Sequence, residues 1–366
     1  YGFSIPIGAS INGVEVRADW YLDDNAAINS LGVELSWDGG ASWTTVKTDV
    51  TETDKEHISS LGGNADNWGR TWSYSDFTDE NFRVRITSNS TSDSRDFYLD
   101  WIPVRVYYTP DATDPSVSAD NSSASWRTSN ITITLSASDT GSGLNNLRYN
   151  WDTPANVSTG TTFTDGSTII IPSDGEHTLN LYADDYAGNT NVFTGTYKLD
   201  TSNPTAPGTP VTTSPTNNQT PTWDWIASSD TYLDHYIFFW DTVLGGETNN
   251  SENLLNTATT YQISNPLLDG LWYAKIRAFD PAGNFSTSAN GSTIIDTDPP
   301  VITLNDVSPI NADRGSTYSD SSATALDNVD GNLTSSIVTV NPVDTSIIGP
   351  YTVTYNVVDL YGNHAT

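Results

Sequence analysis

The sequence predicts an all-β protein, a tandem array of four β-sandwich domains arranged as an elongated rod. Three observations carry that prediction. The acidic residues divide into 37 Asp and only 8 Glu, so the acid falls on the residue that opens turns and not on the helix former. Apolar residues alternate with period two, as from Thr178 to Ala183 and from Tyr351 to Val357, and no stretch sustains a 3.6-residue period for three turns. The pattern Asp-x-x-Gly-Asn recurs at Asp185 to Asn189, Asp280 to Asn284 and Asp359 to Asn363, each time after an alternating run. Asp opens such a turn through its side chain, and Gly-Asn tolerates the positive φ of the return, so each copy reads as the hairpin loop of a successive sandwich.

Composition removes several function classes. The 366 residues carry a net charge of −31, which repels nucleic acid and anionic membrane surfaces and leaves cations and neutral polymers as partners. With no Cys there is no disulfide framework, thiolate metal site or cysteine nucleophile. No apolar run is long enough to span a membrane, so no membrane insertion is expected in this chain. The chain starts at Tyr1 and has no Met, and it reads as a processed product or a piece of something longer.

Pro-rich linkers at 109–115, 199–204 and 295–300 divide the chain into domains at 1–109, 112–200, 203–296 and 299–366. The first opens on what reads as a strand, with Phe3, Ile5 and Ile7 alternating. It also contains Ser36-Trp-Asp-Gly-Gly-Ala-Ser-Trp43, a well-made hairpin turn that resembles the Asp-box of sialidase propellers, though a propeller needs more than one copy. In the second domain, strands are expected near 116–120, 130–138, 147–151, 167–171, 176–184 and 189–199. In the third, Trp272 shares a face with Ala274, Ile276 and Ala278, and Trp223 shares one with Trp225, which marks core strands. The fourth contains Asp327-Asn-Val-Asp-Gly-Asn-Leu-Thr334, and only His364, Ala365 and Thr366 remain for its last strand.

The last three domains resemble the immunoglobulin-like repeats of bacterial surface proteins, the fourth through its Asp-Asn-x-Asp-Gly-x-Leu-Thr loop, and the opening from Tyr1 to Gly13 resembles an N-terminal β-sandwich module of long secreted bacterial proteins. The resemblance implies a sandwich fold and an extracellular or cell-surface location, but it names no ligand.

In such a sandwich the entering linker, the loop between the second and third strands (B–C) and the loop between the sixth and seventh (F–G) share one pole. The second domain would gather Asp111, Asp114, Asp139 and Asp184 or Asp185 there. The third would gather Asp200, Asp230 and Asp280, and the fourth Asp296, Asp298, Asp327, Asp330 and Asp359. Two readings stand: these are the ordinary turn aspartates of an Asp-rich protein, or calcium ions occupy the junctions and stiffen the rod.

A second candidate site is a sugar platform at Trp68 and Trp72, whose Gly/Asn-rich surroundings suggest exposure. Catalysis finds no support, because His57, His177, His235 and His364 are scattered and no nucleophile or phosphate motif occurs. Lys198 and Lys275 fall opposite the apolar alternation, so no intramolecular isopeptide crosslink is expected.

The function expected is therefore structural or adhesive: a stalk or filament-forming surface component, self-associating into a homopolymer or larger assembly by strand addition. The alternative is a glycan-binding accessory region of a secreted glycan-degrading enzyme.

Overall fold

The computed structural model describes residues 1–24, 27–212, 216–246, 250–287 and 290–366. It is all-β, with short 3-10 turns as its only helical elements among the described residues. The strands fall into two compact units, one of residues 1–125 and 130–198 and one of residues 126–129 and 199–366.

The first unit opens on a sandwich built around one long strand, Ser10–Leu22. His57–Gly62 pairs along one edge of it, and Phe97–Trp101 followed by Val104–Thr109 pairs along the other. The facing sheet orders Lys47–Asp49, Asn29–Ser36 and Arg83–Ser90. Alternation drives the closure: Val14 and Val16 of one sheet meet Val33 and Leu35 of the other in a single buried cluster.

A second pair of sheets follows. Thr168–Ile170, Thr132–Ser138 and Ser116–Ala119 form one, and the other runs Thr161–Thr162, Leu144–Trp151, Gly175–Asp185 and Thr190–Leu199. Leu135 and Ile133 from the first sheet and Leu179, Leu181 and Tyr197 from the second are all at most 1% exposed. The six strands expected in this domain are present with ends shifted by at most three residues, because each is a clean period-two run between turn signals.

The second unit repeats the plan. Val211–Thr212, Thr222–Asp224 and Thr260–Gln262 face a sheet of Ser251–Leu255, His235–Asp241, Gly270–Phe279 and Asn290–Ile295. Trp223 and Trp225 pack against Phe238, Ala274 and Ile276, with Trp272 at the margin. The last sandwich pairs Val301–Leu304, Ala323–Asp327 and Gly331–Asn332 in one sheet and Val338–Val340, Thr354–Val358 and His364–Ala365 in the other. Its buried apolar residues are few: Ala323, Ala325 and Val357.

The N-terminal strand expected from Phe3, Ile5 and Ile7 is not formed. Pro6 and Gly8, the latter at φ +74°, break the extended run, and Phe3 instead packs edge-on against Phe77 and Phe82 at 5.6 and 5.3 Å. The hairpin after Ser36 forms as expected: Gly39 and Gly40 take positive φ, and Asp38 Oδ1 accepts from Ser42 N at 2.8 Å. Lys198 is half-buried, not solvated, and pairs with Glu176 at 2.9 Å.

Candidate metal centres

All three Asp-x-x-Gly-Asn segments fold as the expected hairpin loops. The glycines sit at φ +93°, +99° and +90°, and the first residue's N–H donates to the last residue's carbonyl at 3.1 to 3.2 Å each time. The closing Asn does more than tolerate a turn. The side-chain amides of Asn189, Asn284 and Asn363 donate to Asp185, Asp280 and Asp359 at 2.7 to 2.8 Å. Each also donates to the carbonyl of an aspartate in the entering linker: Asn189 to Asp111 at 3.3 Å, Asn284 to Asp200 at 2.8 Å and Asn363 to Asp296 at 3.0 Å. One amide thus ties the incoming chain to the F–G loop in each of three domains. The sequence signal for this role was the constancy of the fifth position of the repeat.

Among the described residues, three carboxylates converge at two of these entrances, with one oxygen from each within 4.8 Å of the others: Asp111, Asp139 and Asp185, and Asp296, Asp327 and Asp359. Linker, B–C loop and F–G loop each supply one, as the topology predicts.

The two groups differ electrostatically. In the first, backbone amides surround the carboxylates: Asp111 accepts from Thr113 and Ser142 N–H groups, which hold its carboxyl below the ordinary value. Burial pushes Asp185 up, but hydrogen bonds from Asn189 and Gly188 outweigh it and leave it lowered. Asp139 accepts from Gly141 and Gly143 through one oxygen, and its buried Oδ1 has no partner.

In the second group Asp296 is fully buried, at 0% exposure. Its Oδ1 accepts one long bond, 3.2 Å from Asp298 N, and its Oδ2 has no partner. Asp327 presents a second buried, unpartnered oxygen, Oδ2, while its Oδ1 accepts from Val329 and Asp330 at 2.7 and 2.8 Å. Burial first, then the charges of Asp327, Asp359 and Asp269, raise the Asp296 carboxyl above the ordinary range. A buried carboxylate oxygen facing two more carboxylates is costly unless a proton or a cation sits among them. Three hard oxygen donors without His or Cys suit calcium or magnesium and offer nothing to a soft metal.

The other predicted acids take different places. Asp184 lies on the strand face opposite Asp185, as the period-two geometry requires, and accepts from Asn146 N at 2.7 Å and Tyr182 Oη at 3.1 Å. Asp114 is exposed and outside the group. Asp298 and Asp330 act as braces: Asp298 accepts from Asn328 at 3.1 Å, and Asp330 from Leu360 N at 2.7 Å, which links linker, B–C loop and F–G loop to one another. Asp200, Asp230 and Asp280 do not form a group. Asp230 turns back to accept from Tyr232 N at 2.7 Å, and Asp280 is engaged by Gly283 and Asn284.

The sugar platform at Trp68 and Trp72 is a misreading of the Gly/Asn-rich segment. Both rings are core, at 3 and 6% exposure. Trp68 sits in a tight turn at φ +55° that carries its indole under the sheet, where Nε1–H donates to Val14 O at 2.8 Å. Trp72 donates to Asn67 O at 2.8 Å.

Residues 302–366 match the model of the bacterial surface protein Ig-like domain family, and that match points to an extracellular structural or surface module. No curated protein matches the chain. Solved structures similar to it include the fibronectin(III)-like modules of Clostridium thermocellum CbhA, at 15% identity over 49% of this chain and 94% of that one with a TM-score of 0.28. The FN1–FN3 domains of chicken CNTN1 are 12% identical over 78% of this chain and 98% of theirs, with a TM-score of 0.30. Domains A168–A170 of titin are 11% identical over 77% and 99%, with a TM-score of 0.37. At these scores the fold assignment rests on the sheets and cores described above.

Proposed function

We propose that the chain is a non-enzymatic structural segment of a bacterial surface or extracellular assembly, in which divalent cations, calcium foremost, lock domain entrances. The observation that carries the reading is the Asp296, Asp327 and Asp359 group, in which two buried oxygens lack partners and the central carboxyl is raised. A cation there joins the linker to two loops of the domain it enters, so that binding and the order of the entrance become one equilibrium. The Asp111, Asp139 and Asp185 group is a second, weaker position, because backbone amides already satisfy most of its oxygens. In this reading copies associate through the fourth domain, where Leu304, Ile347 and Ile348 are 47, 62 and 82% exposed.

Calorimetric titration of the chelator-treated chain with calcium tests the proposal. A saturable heat that Asp327→Asn removes supports it, and the absence of any heat at millimolar calcium refutes it.

A further inference from the structure

We propose that the outer face of the sheet built on Ser10–Leu22 is a binding site for a neutral polysaccharide, with Trp101 and the Tyr21–Tyr98 pair as its stacking surfaces. The proposal is independent of the metal reading and uses none of its residues.

The inner face of this sheet carries the core, with Val14, Val16, Ala18 and Trp20 all at most 1% exposed. Alternation therefore sends Glu15, Arg17, Asp19 and Tyr21 outward. Register places Trp101 beside Asp19, Tyr98 beside Tyr21 and Arg105 beside Glu15 on one edge, and Ile58 beside Asp19 on the other. A register shift between Asp19 and Trp20 lets Trp101 and Tyr98, three residues apart, both face outward.

The rings are solvent-facing and held in place. Trp101 is 60% exposed and Tyr98 44%, and Tyr98 stacks on Tyr21 with centroids 4.7 Å apart and planes 11° from parallel. Arg17 approaches the Trp101 ring, 6.0 Å from its centroid, and is itself fixed by a two-point bond to Asp19 at 2.9 and 2.8 Å. A flat ring with preset orientation loses little side-chain entropy when a pyranose stacks on it. Register sets Trp101 and Tyr98 beside Asp19 and Tyr21, two residues and so about 7 Å apart along the strand, within the span of a disaccharide.

Charge identifies the occupant. In a chain of net charge −31, the basic groups of this face are matched by acids: Arg17 is bonded to Asp19 with Glu56 close by, and Arg105 stands beside Glu15, which accepts from Tyr107 Oη at 2.6 Å. Such a face offers a polyanion no excess positive charge, and its paired acids leave little free charge for a polycation. It presents apolar rings beside oriented donors and acceptors, which is the chemistry of a neutral, hydroxyl-rich chain.

Affinity electrophoresis of the full chain tests this, in gels carrying hydroxyethylcellulose, xylan, laminarin, galactomannan or soluble starch. At least one polymer should retard the chain. Trp101→Ala should weaken that retardation roughly tenfold or more, and Trp101→Phe should restore part of it. Tyr186→Ala, which removes an aromatic 55% exposed elsewhere in the same unit, should leave it unchanged. Circular dichroism melts of each variant exclude unfolding as the cause, and if Trp101→Ala misfolds, Tyr98→Ala and Trp101→Phe decide the matter. No retardation by any of the five polymers overturns the proposal, as does retardation that the Trp101 and Tyr98 variants leave intact. Concentration-dependent dimerisation that Trp101→Ala abolishes, without polymer binding, assigns the face to a second copy and also overturns it.

Discussion

Replacing Asp327 with Asn should reverse the sign of its own effect when calcium is added. Asp327 Oδ1 accepts from Val329 and Asp330 N–H groups, a role an Asn oxygen retains, so the substitution changes only the buried Oδ2 that faces Asp296 and Asp359. At an effective dielectric near 20, two carboxylate charges 4.8 Å apart repel by about 3.5 kcal/mol. Asp327 is only partly buried, and solvent screening brings the expected gain of the variant in chelator down to about 1–3 kcal/mol. For a unit of this size that is a rise in melting temperature of roughly 2–12 °C. In calcium at a hundred times its dissociation constant the parent gains about 2.7 kcal/mol by mass action, and the variant, one ligand short, gains little. Differential scanning calorimetry of both proteins in chelator and in calcium reads the crossing directly. A variant less stable than the parent in chelator, or one that keeps the full calcium shift, would refute the electrostatic account of the site.

Three further outcomes are expected. With chelator present, the second unit should lose stability as pH rises from the ordinary carboxylate value through the raised value of Asp296, because the folded state favours its protonated form; with calcium present, the calcium-induced shift in melting temperature should shrink as pH falls through the same window. A pH series of melts with and without calcium checks both. Asn284→Ala should cost about 1–2 kcal/mol by the loss of its bonds to Asp200 O and Asp280 Oδ2, and the loss should be the same in calcium and in chelator; a difference in denaturant midpoint between variant and parent that changes with calcium would contradict this. Trp72→Ala should cost about 3–5 kcal/mol in the first sandwich, with loss of its near-ultraviolet dichroism, and an unchanged midpoint would show that the ring is not core.

The fold was legible because a β-strand announces its buried face through period two and its end through Gly, Asn and Asp. The strands of the second domain and the three repeated hairpins needed nothing else. Pole topology also placed Asp111, Asp139 and Asp185, and Asp296, Asp327 and Asp359, in convergent groups. What escaped depended on directions finer than a loop's position. Asp184 and Asp185 are neighbours in sequence but face opposite ways, and only the register decides which one reaches the pole. Asp230 stands at the right distance along the chain, but a local bond to Tyr232 turns it aside. Trp68 and Trp72 look exposed because a turn rich in Gly and Asn surrounds them; one positive φ folds that turn under the sheet. Trp101 faces solvent because its register partner Asp19 points away from the core, a direction set by pairing and not by the residues around it in sequence.

The asparagine clamps alter how a pull on the backbone would be distributed. Asp200 is held by Asn284, a few residues before the strand Asn290–Ile295, and that strand runs straight into Asp296, which Asn363 holds in turn. Tension entering at Asp200 therefore has a short route through Asn284 and along the length of Asn290–Ile295, which lies antiparallel beside Gly270–Phe279. Loaded at both of its own ends, that strand carries the tension through its covalent backbone, and its ladder to Gly270–Phe279 bears none of it while both clamps hold. The bulk of the third sandwich is left out of the load path, and the weakest links become the side-chain amides of Asn284 and Asn363.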